Sequence, residues 1–203
     1  MRSPLRQRGL GLIELMVGIT LAALLMTLAM PSFITGMQNR QIRTVADAVQ
    51  NGLMVARTEA LRRNRNVKFQ LQNGTGWTVG CETVDASTDP VTGEVACPAT
   101  IQTRDPGSTT KAQVATSQLV AATGSAASTT VFTDTLTFTP LGRTTTSTLP
   151  TGNLAVFDVT NPSTDACAAA GGEMRCLRVV VTSMGQVRMC DPAVTASTDP
   201  RKC

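Results

Sequence analysis

The sequence predicts an α+β protein in which a long N-terminal helix packs on an antiparallel β-sheet body. Three observations point there. Leu10–Met30 is a run of 21 residues with a single charge, Glu14. Apolar residues then recur at Ile42, Val45, Ala46, Val49, Leu53, Ala56 and Ala60, spacings of three and four that mark one helix face. From residue 66 the pattern changes to two-residue alternation broken by Gly, Pro, Ser and Thr, the signature of strands and turns.

A chain of 203 residues allows one ordinary domain plus an extra element. It contains no histidine, which excludes Ser-His-Asp triads, Cys-His nucleophile pairs and His-containing zinc sites. The acids are scattered, with no pair at a catalytic spacing. The expectation is therefore a non-enzyme with no catalytic residues, no metal and no cofactor. The formal charge of +4 is uneven: +3 over residues 1–9, −1 over 10–36, +5 over 37–68 and −3 over 69–203. The body is slightly acidic, so nucleic-acid binding would need a local patch.

The first element is the apolar run. As a helix it would extend about 31 Å, enough to cross the hydrocarbon core of a bilayer. Arg2, Arg6 and Arg8 precede it with no acid, which keeps that end in the cytoplasm and places the rest outside the inner membrane. The run closes on Leu28-Ala29-Met30-Pro31, without the small-x-small site of a secretory signal peptide. A plain membrane anchor leaves Glu14 unexplained, because an intramembrane acid needs a partner and the run contains no base. Cleavage after Gly9 would supply one. The freed amine of Leu10, with a reference pKa of about 8, would be largely protonated.

Arg8-Gly9-Leu10-Gly11-Leu12-Ile13-Glu14-Leu15-Met16-Val17 resembles the class III prepilin signal of type IV pilins and pseudopilins. The resemblance implies that prepilin peptidase cuts between Gly9 and Leu10 and methylates the new amine of Leu10. It implies that Glu14, the fifth mature residue, neutralises the terminal amine of an adjacent subunit and sets axial register. Pro31 matches the proline that the family carries near the end of its membrane segment. Leu10 replaces the usual Phe and Gly11 the common Thr, departures that leave the cleavage glycine and the acid in place.

The second element continues the helix through Pro31 to about Arg62-Arg63-Asn64. Membrane helices tolerate an internal proline with a bend. Arg57, Arg62, Arg63 and Arg65 gather at its C-terminal end, where the helix dipole favours cations. The strands follow. Val67–Leu71 and Trp77–Val79 read as a hairpin around Asn73-Gly74-Thr75-Gly76. Further strands are expected at Gln113–Ala122, Thr130–Thr139, Asn153–Thr160, Cys176–Thr182 and Gln186–Cys190. Thr123–Ser128 and Thr144–Gly152 read as exposed loops.

Val67–Trp77, Phe138-Thr139-Pro140-Leu141-Gly142-Arg143, and Val179–Val187 with its glycine resemble the GspH/FimT/FimU group of minor pilins and pseudopilins. The layout this implies is a cleaved leader at 1–9, a transmembrane and polymerisation segment at 10–30, an amphipathic continuation at 31–65 and a periplasmic or extracellular β-rich body at 66–203. The implied function is a minor pilin in type IV pilus initiation or at the tip. Its implied partners are prepilin peptidase, other minor pilins, the major pilin and, before assembly, the inner membrane. The alternatives are a DNA-binding pilin for transformation and the H-type pseudopilin of type II secretion.

Cys81, Cys97, Cys167, Cys176, Cys190 and Cys203 all lie beyond the membrane segment, where the compartment is oxidising. Six cysteines allow 15 connectivities. Sequence-local pairing gives Cys81–Cys97, Cys167–Cys176 and Cys190–Cys203; a Cys176–Cys190 staple between adjacent strands is the alternative. Some FimT-type pilins bind DNA through Gly-Arg-x-Arg. Here Gly185-Gln186-Val187-Arg188 keeps the glycine and second arginine only. Arg175, Arg178, Arg201 and Lys202 are the candidates to join Arg188 in a DNA-binding patch, opposed by Glu173, Asp191 and Asp199.

Overall fold

The computed structural model describes residues 11–72, 74–88, 93–107, 111–120, 134–162 and 166–203. The helical periodicity becomes a single helix, α1, over Leu12–Arg63. It runs on through Pro31 without a break in its helical backbone. The chain divides into two compact units, Met1–Met37 and Gln38–Cys203.

The first unit exposes its apolar side chains, among them Leu12, Ile13, Leu24, Leu25, Met26 and Phe33. Thr20 and Thr27 turn their hydroxyls back onto the carbonyls of Val17 and Leu24, which satisfies these polar groups within the helix. Among the described residues no helix is long and apolar enough to cross a membrane. The sequence run includes Leu10, Leu28 and Ala29, whose side chains lie outside the described set.

In the second unit, α1 buries the seven periodic residues from Ile42 to Ala60, none more than 3% exposed. They face two antiparallel sheets. The first has the order β5-β2-β1-β7, with β1 Val67–Gln72, β2 Gly76–Cys81, β5 Gln102–Arg104 and β7 Thr135–Phe138. The second has the order β10-β9-β8-β6, with β6 Gln113–Val120, β8 Asn153–Thr160, β9 Leu177–Thr182 and β10 Val187–Cys190. A small ladder pairs β3 Asp85–Thr88 with β4 Val95–Cys97.

Phe69 joins the layers. Its ring meets Phe157 of the second sheet edge-on at 5.7 Å and Trp77 of its own sheet at 5.9 Å. Gly52 of α1 lies directly over Phe69 and Trp77, where a β-carbon would come within 2.8 Å of both rings. The aromatic pair thus packs against helix backbone.

The expected hairpin forms, with Phe69 opposite Val79. Asn73 of its turn lies outside the described residues, as do Thr123–Ser128, the end of the expected strand Gln113–Ala122 and the start of Thr130–Thr139. Thr144–Gly152 forms no strand but is not the exposed loop expected, since Thr144 and Leu149 are buried. The strands β3, β4 and β5 are additions to the sequence reading. Each has three or four residues and little apolar alternation, so partners elsewhere in the chain define them. β5 pairs with the open edge of β2, with Trp77 opposite Arg104.

Candidate functional site

Glu14 lies in the first turn of α1 with its side chain exposed. Acids near a helix N-terminus are favoured by the dipole, so the position also suits the helix locally. Gly9 and Leu10 lie outside the described residues, and Pro31 is helical in backbone, its side chain being outside them.

The cysteines form Cys81–Cys97, Cys167–Cys176 and Cys190–Cys203. The staple between Cys176 and Cys190 is therefore not made. Cys81–Cys97 ties the end of β2 to β4. Cys190–Cys203 folds the C-terminal segment back onto the end of β10. A parallel bridge between Asp191 and Lys202 continues that contact.

The arginines at the end of α1 have specific partners beyond the dipole. Arg63 donates to Glu59 at 2.7 Å and to the carbonyls of Val95 and Ala96 at 2.8 and 2.9 Å. Arg62 bridges Glu59 and Glu94, and Arg65 reaches Asp85 at 3.2 Å. These residues pin the short β3–β4 ladder to the helix. Burial pushes the Glu59 carboxyl up, but the hydrogen bonds from Arg62 and Arg63 outweigh it and hold the group below its usual 4.5.

Arg57 acts differently. Its Nε donates to the carbonyl of Gly142 at 3.1 Å. Gly142 has φ +71° and Gly185 φ +78°, a region in which side chains are strained. A β-carbon on Gly185 would overlap the Gly142 carbonyl. Thr144 adds two bonds to the carbonyl of Ser183, from its backbone N–H at 3.2 Å and its hydroxyl at 3.1 Å. The turn in Phe138–Arg143 and the turn before β10 are therefore one docked unit.

The basic residues of the C-terminal region divide. Arg178 sits opposite Asp158 in the β8–β9 register and pairs with it through two bonds of 2.7 and 3.0 Å. Arg188 donates to the carbonyls of Lys202 and Cys203. Alternation along β10 sets Arg188 on the face opposite Val187 and Met189, which pack on the main core. Arg201 pairs with Asp199 at 2.7 Å, holding that carboxyl down to about 2. Arg175 lies 3.5 Å from the buried carboxylate of Asp191.

Arg175 and Arg201 instead line a cleft of about 370 Å³ with Asn39, Arg40 and Arg43 of α1. Leu177, Met189, Cys190 and Asp191 complete its lining. Asn39 Oδ1 accepts from the Arg175 backbone N–H at 2.8 Å and ties this segment to the helix. No sequence spacing brings residues 39–43 to residues 175–201; the fold does.

A 52-residue helix whose second half packs on antiparallel sheets is the architecture of a type IV pilin. The family model described as type II transport protein GspH matches residues 45–185, and that described as the prokaryotic N-terminal methylation motif matches residues 4–30. The chain belongs to the GspH family, within the type IV pilin and pseudopilin superfamily. It is a minor pilin or pseudopilin. The methylation motif implies processing by prepilin peptidase and pilin partners in general.

Among solved structures, the fold is similar to the type IV minor pilin FimU of Pseudomonas aeruginosa, at 15% identity and a TM-score of 0.50, over 78% of this chain and 94% of that one. A second crystal form of FimU aligns at 16% identity and a TM-score of 0.46, over 76% and 97% of the two chains. A comparison with curated proteins finds no match.

Proposed function

We propose that this chain is a minor pilin of type IV pilus assembly, acting in the initiating or tip complex. Prepilin peptidase cleaves between Gly9 and Leu10 and methylates the Leu10 amine. Before assembly the protein sits in the inner membrane as a single-pass anchor, leader in the cytoplasm and body in the periplasm. The layout is a leader at 1–9, a membrane segment at 10–30, its continuation at 31–65 and a body at 66–203. Glu14 pairs with the terminal amine of a neighbouring subunit, and Pro31 sits near the end of the polymerisation segment. The protein has no enzymatic role.

The observation that carries this reading is the methylation motif at residues 4–30 preceding a GspH-type body in one chain. The test counts surface pili in a strain lacking the gene. Pili should be strongly reduced, restored by the wild type and not by Glu14→Ala. Normal pilus numbers in the deletion strain would overturn the assembly role.

The H-type pseudopilin of type II secretion is the second reading, favoured by the description of the matching family. Intact piliation with loss of exported protein would select it. DNA uptake has less support. Gln186 stands in place of the first arginine of the motif, and Arg175, Arg178 and Arg201 each face a carboxylate.

A further inference from the structure

We infer that the cleft between residues 39–43 of α1 and the β9–β10 end of the body holds the headgroup of an anionic phospholipid. The inference rests on the membrane-anchored reading above.

The cleft is cationic at its rim and apolar at its floor. Arg40, Arg43, Arg175 and Arg201 surround it, and Leu177 and Met189 lie half-buried beneath. Among the described residues its lining holds one carboxylate, Asp191, whose side chain is 7% exposed and faces Arg175, while Arg201 is paired with Asp199 at 2.7 Å. Arg43 reaches Asp47 only at 3.8 Å, with both side chains largely exposed, a pair of little strength. Arg40 has no carboxylate partner among the described residues. Arg40 and Arg43 are thus the cleft guanidiniums without a close carboxylate, and a phosphodiester suits them, since each offers a planar fork of donors to its oxygens. An apolar floor suits the glycerol carbons next to such a phosphate.

Position along the chain favours a lipid over other phosphodiesters. Phe33, Ile34 and Met37 are exposed apolar residues of α1, and Arg40 and Arg43 follow Met37 by three and six positions. Arginines near a bilayer surface are drawn to the anionic lipids of the leaflet they face, which in the layout proposed above is the periplasmic one. A nucleic acid would need an extended basic track, with several phosphates contacted in a row. Arg188, which would extend such a track, points to the opposite face of β10 and is tied to the carbonyls of Lys202 and Cys203.

The test uses the full chain in neutral detergent with equal amounts of phosphatidylglycerol and phosphatidylcholine, and native mass spectrometry counts the lipid retained. Wild type should keep phosphatidylglycerol preferentially. Arg40→Gln/Arg43→Gln should weaken that preference by about fivefold for each arginine removed. Lys111→Gln/Arg143→Gln removes the same charge elsewhere and should leave it unchanged. Both double variants change exposed residues and should melt with the wild type.

Equal retention of the two lipids by wild type would overturn the proposal, as would equal losses in the two double variants. Stripping of the lipid by inorganic phosphate would reassign the cleft to a free anion, and stripping by a short oligodeoxynucleotide would reassign it to nucleic acid. Either result overturns the lipid assignment. Carbonate extraction of cell membranes separates the two readings. Release of the chain from the membrane would refute the anchored state itself, whereas a retained chain without lipid preference would refute the cleft alone.

Discussion

Arg57 Nε donates to the carbonyl oxygen of Gly142 at 3.1 Å, and that oxygen occupies the space a side chain on Gly185 would need. One acceptor thus joins α1, the turn after β7 and the turn before β10. Gly185→Ala should cost about 2 kcal/mol or more, combining the left-handed backbone with the overlap. Gly152→Ala has the same backbone penalty at φ +85° with open space around it, and should cost about 1 kcal/mol. Thermal unfolding of both variants checks the difference. Equal losses would show that the contact with Gly142 contributes nothing.

Gly52→Ala should destabilise the body by about 1–3 kcal/mol, the range for an overpacked core. Alanine is the better helix former, so propensity alone predicts a gain. The sign of the change in denaturant midpoint decides between packing and propensity.

Asp158 and Arg178 are cross-strand neighbours joined by a two-bond ion pair, both about a quarter exposed. Arg178→Ala should lose about 1–2 kcal/mol. In a double-mutant cycle, Asp158→Ala should cost far less once Arg178 is gone. Additive losses would show that the pair is not coupled.

Acid should weaken the attachment of the β3–β4 ladder. Glu59 is held below 4.5 in the folded chain, so the stability it contributes is present above that value and is lost as pH falls through the lower, folded value. Asp199, held down to about 2 from 3.8, adds the same dependence further into acid. Melting temperature should therefore fall as pH drops below about 4.5, and Glu59→Gln should flatten the upper part of that decline while lowering stability at neutral pH. An unchanged slope in the variant would rule Glu59 out as its source.

Replacing Cys190 and Cys203 by serine should cost about 3 kcal/mol, given a separation of 13 residues. The backbone bonds of Asp191 and Lys202 should lose hydrogen-exchange protection first, because the bridge brings their segment back to β10. Protection that survives in the double serine variant would assign the segment to its own hydrogen bonds.

The buried face of α1 is legible in the sequence, because a 3.6-residue period records burial on one side of a helix. β8 was legible at Asn153–Thr160 for the same kind of reason, eight residues long with apolar neighbours on both sides. The local disulfide set was among the choices the sequence left open, since pairs separated by 9 to 16 residues close short loops. The family, too, was readable in Gly9, Glu14 and the apolar run.

Other features exist only through long-range packing. β3, β4 and β5 have too few alternating residues to declare themselves. Arg178 reads in the sequence as a candidate for a DNA-binding patch, and only the β8–β9 register sets Asp158 opposite it. The Gly142 carbonyl meets both Arg57 and Gly185, and that arrangement depends on three segments arriving together. The cleft gathers Asn39, Arg40 and Arg43 with Arg175 and Arg201 from the far end of the chain. Sequence periodicity reports which side of an element is apolar. Which charged group meets which is decided by the register of strands and the seating of the helix, and these are settled only when the chain folds.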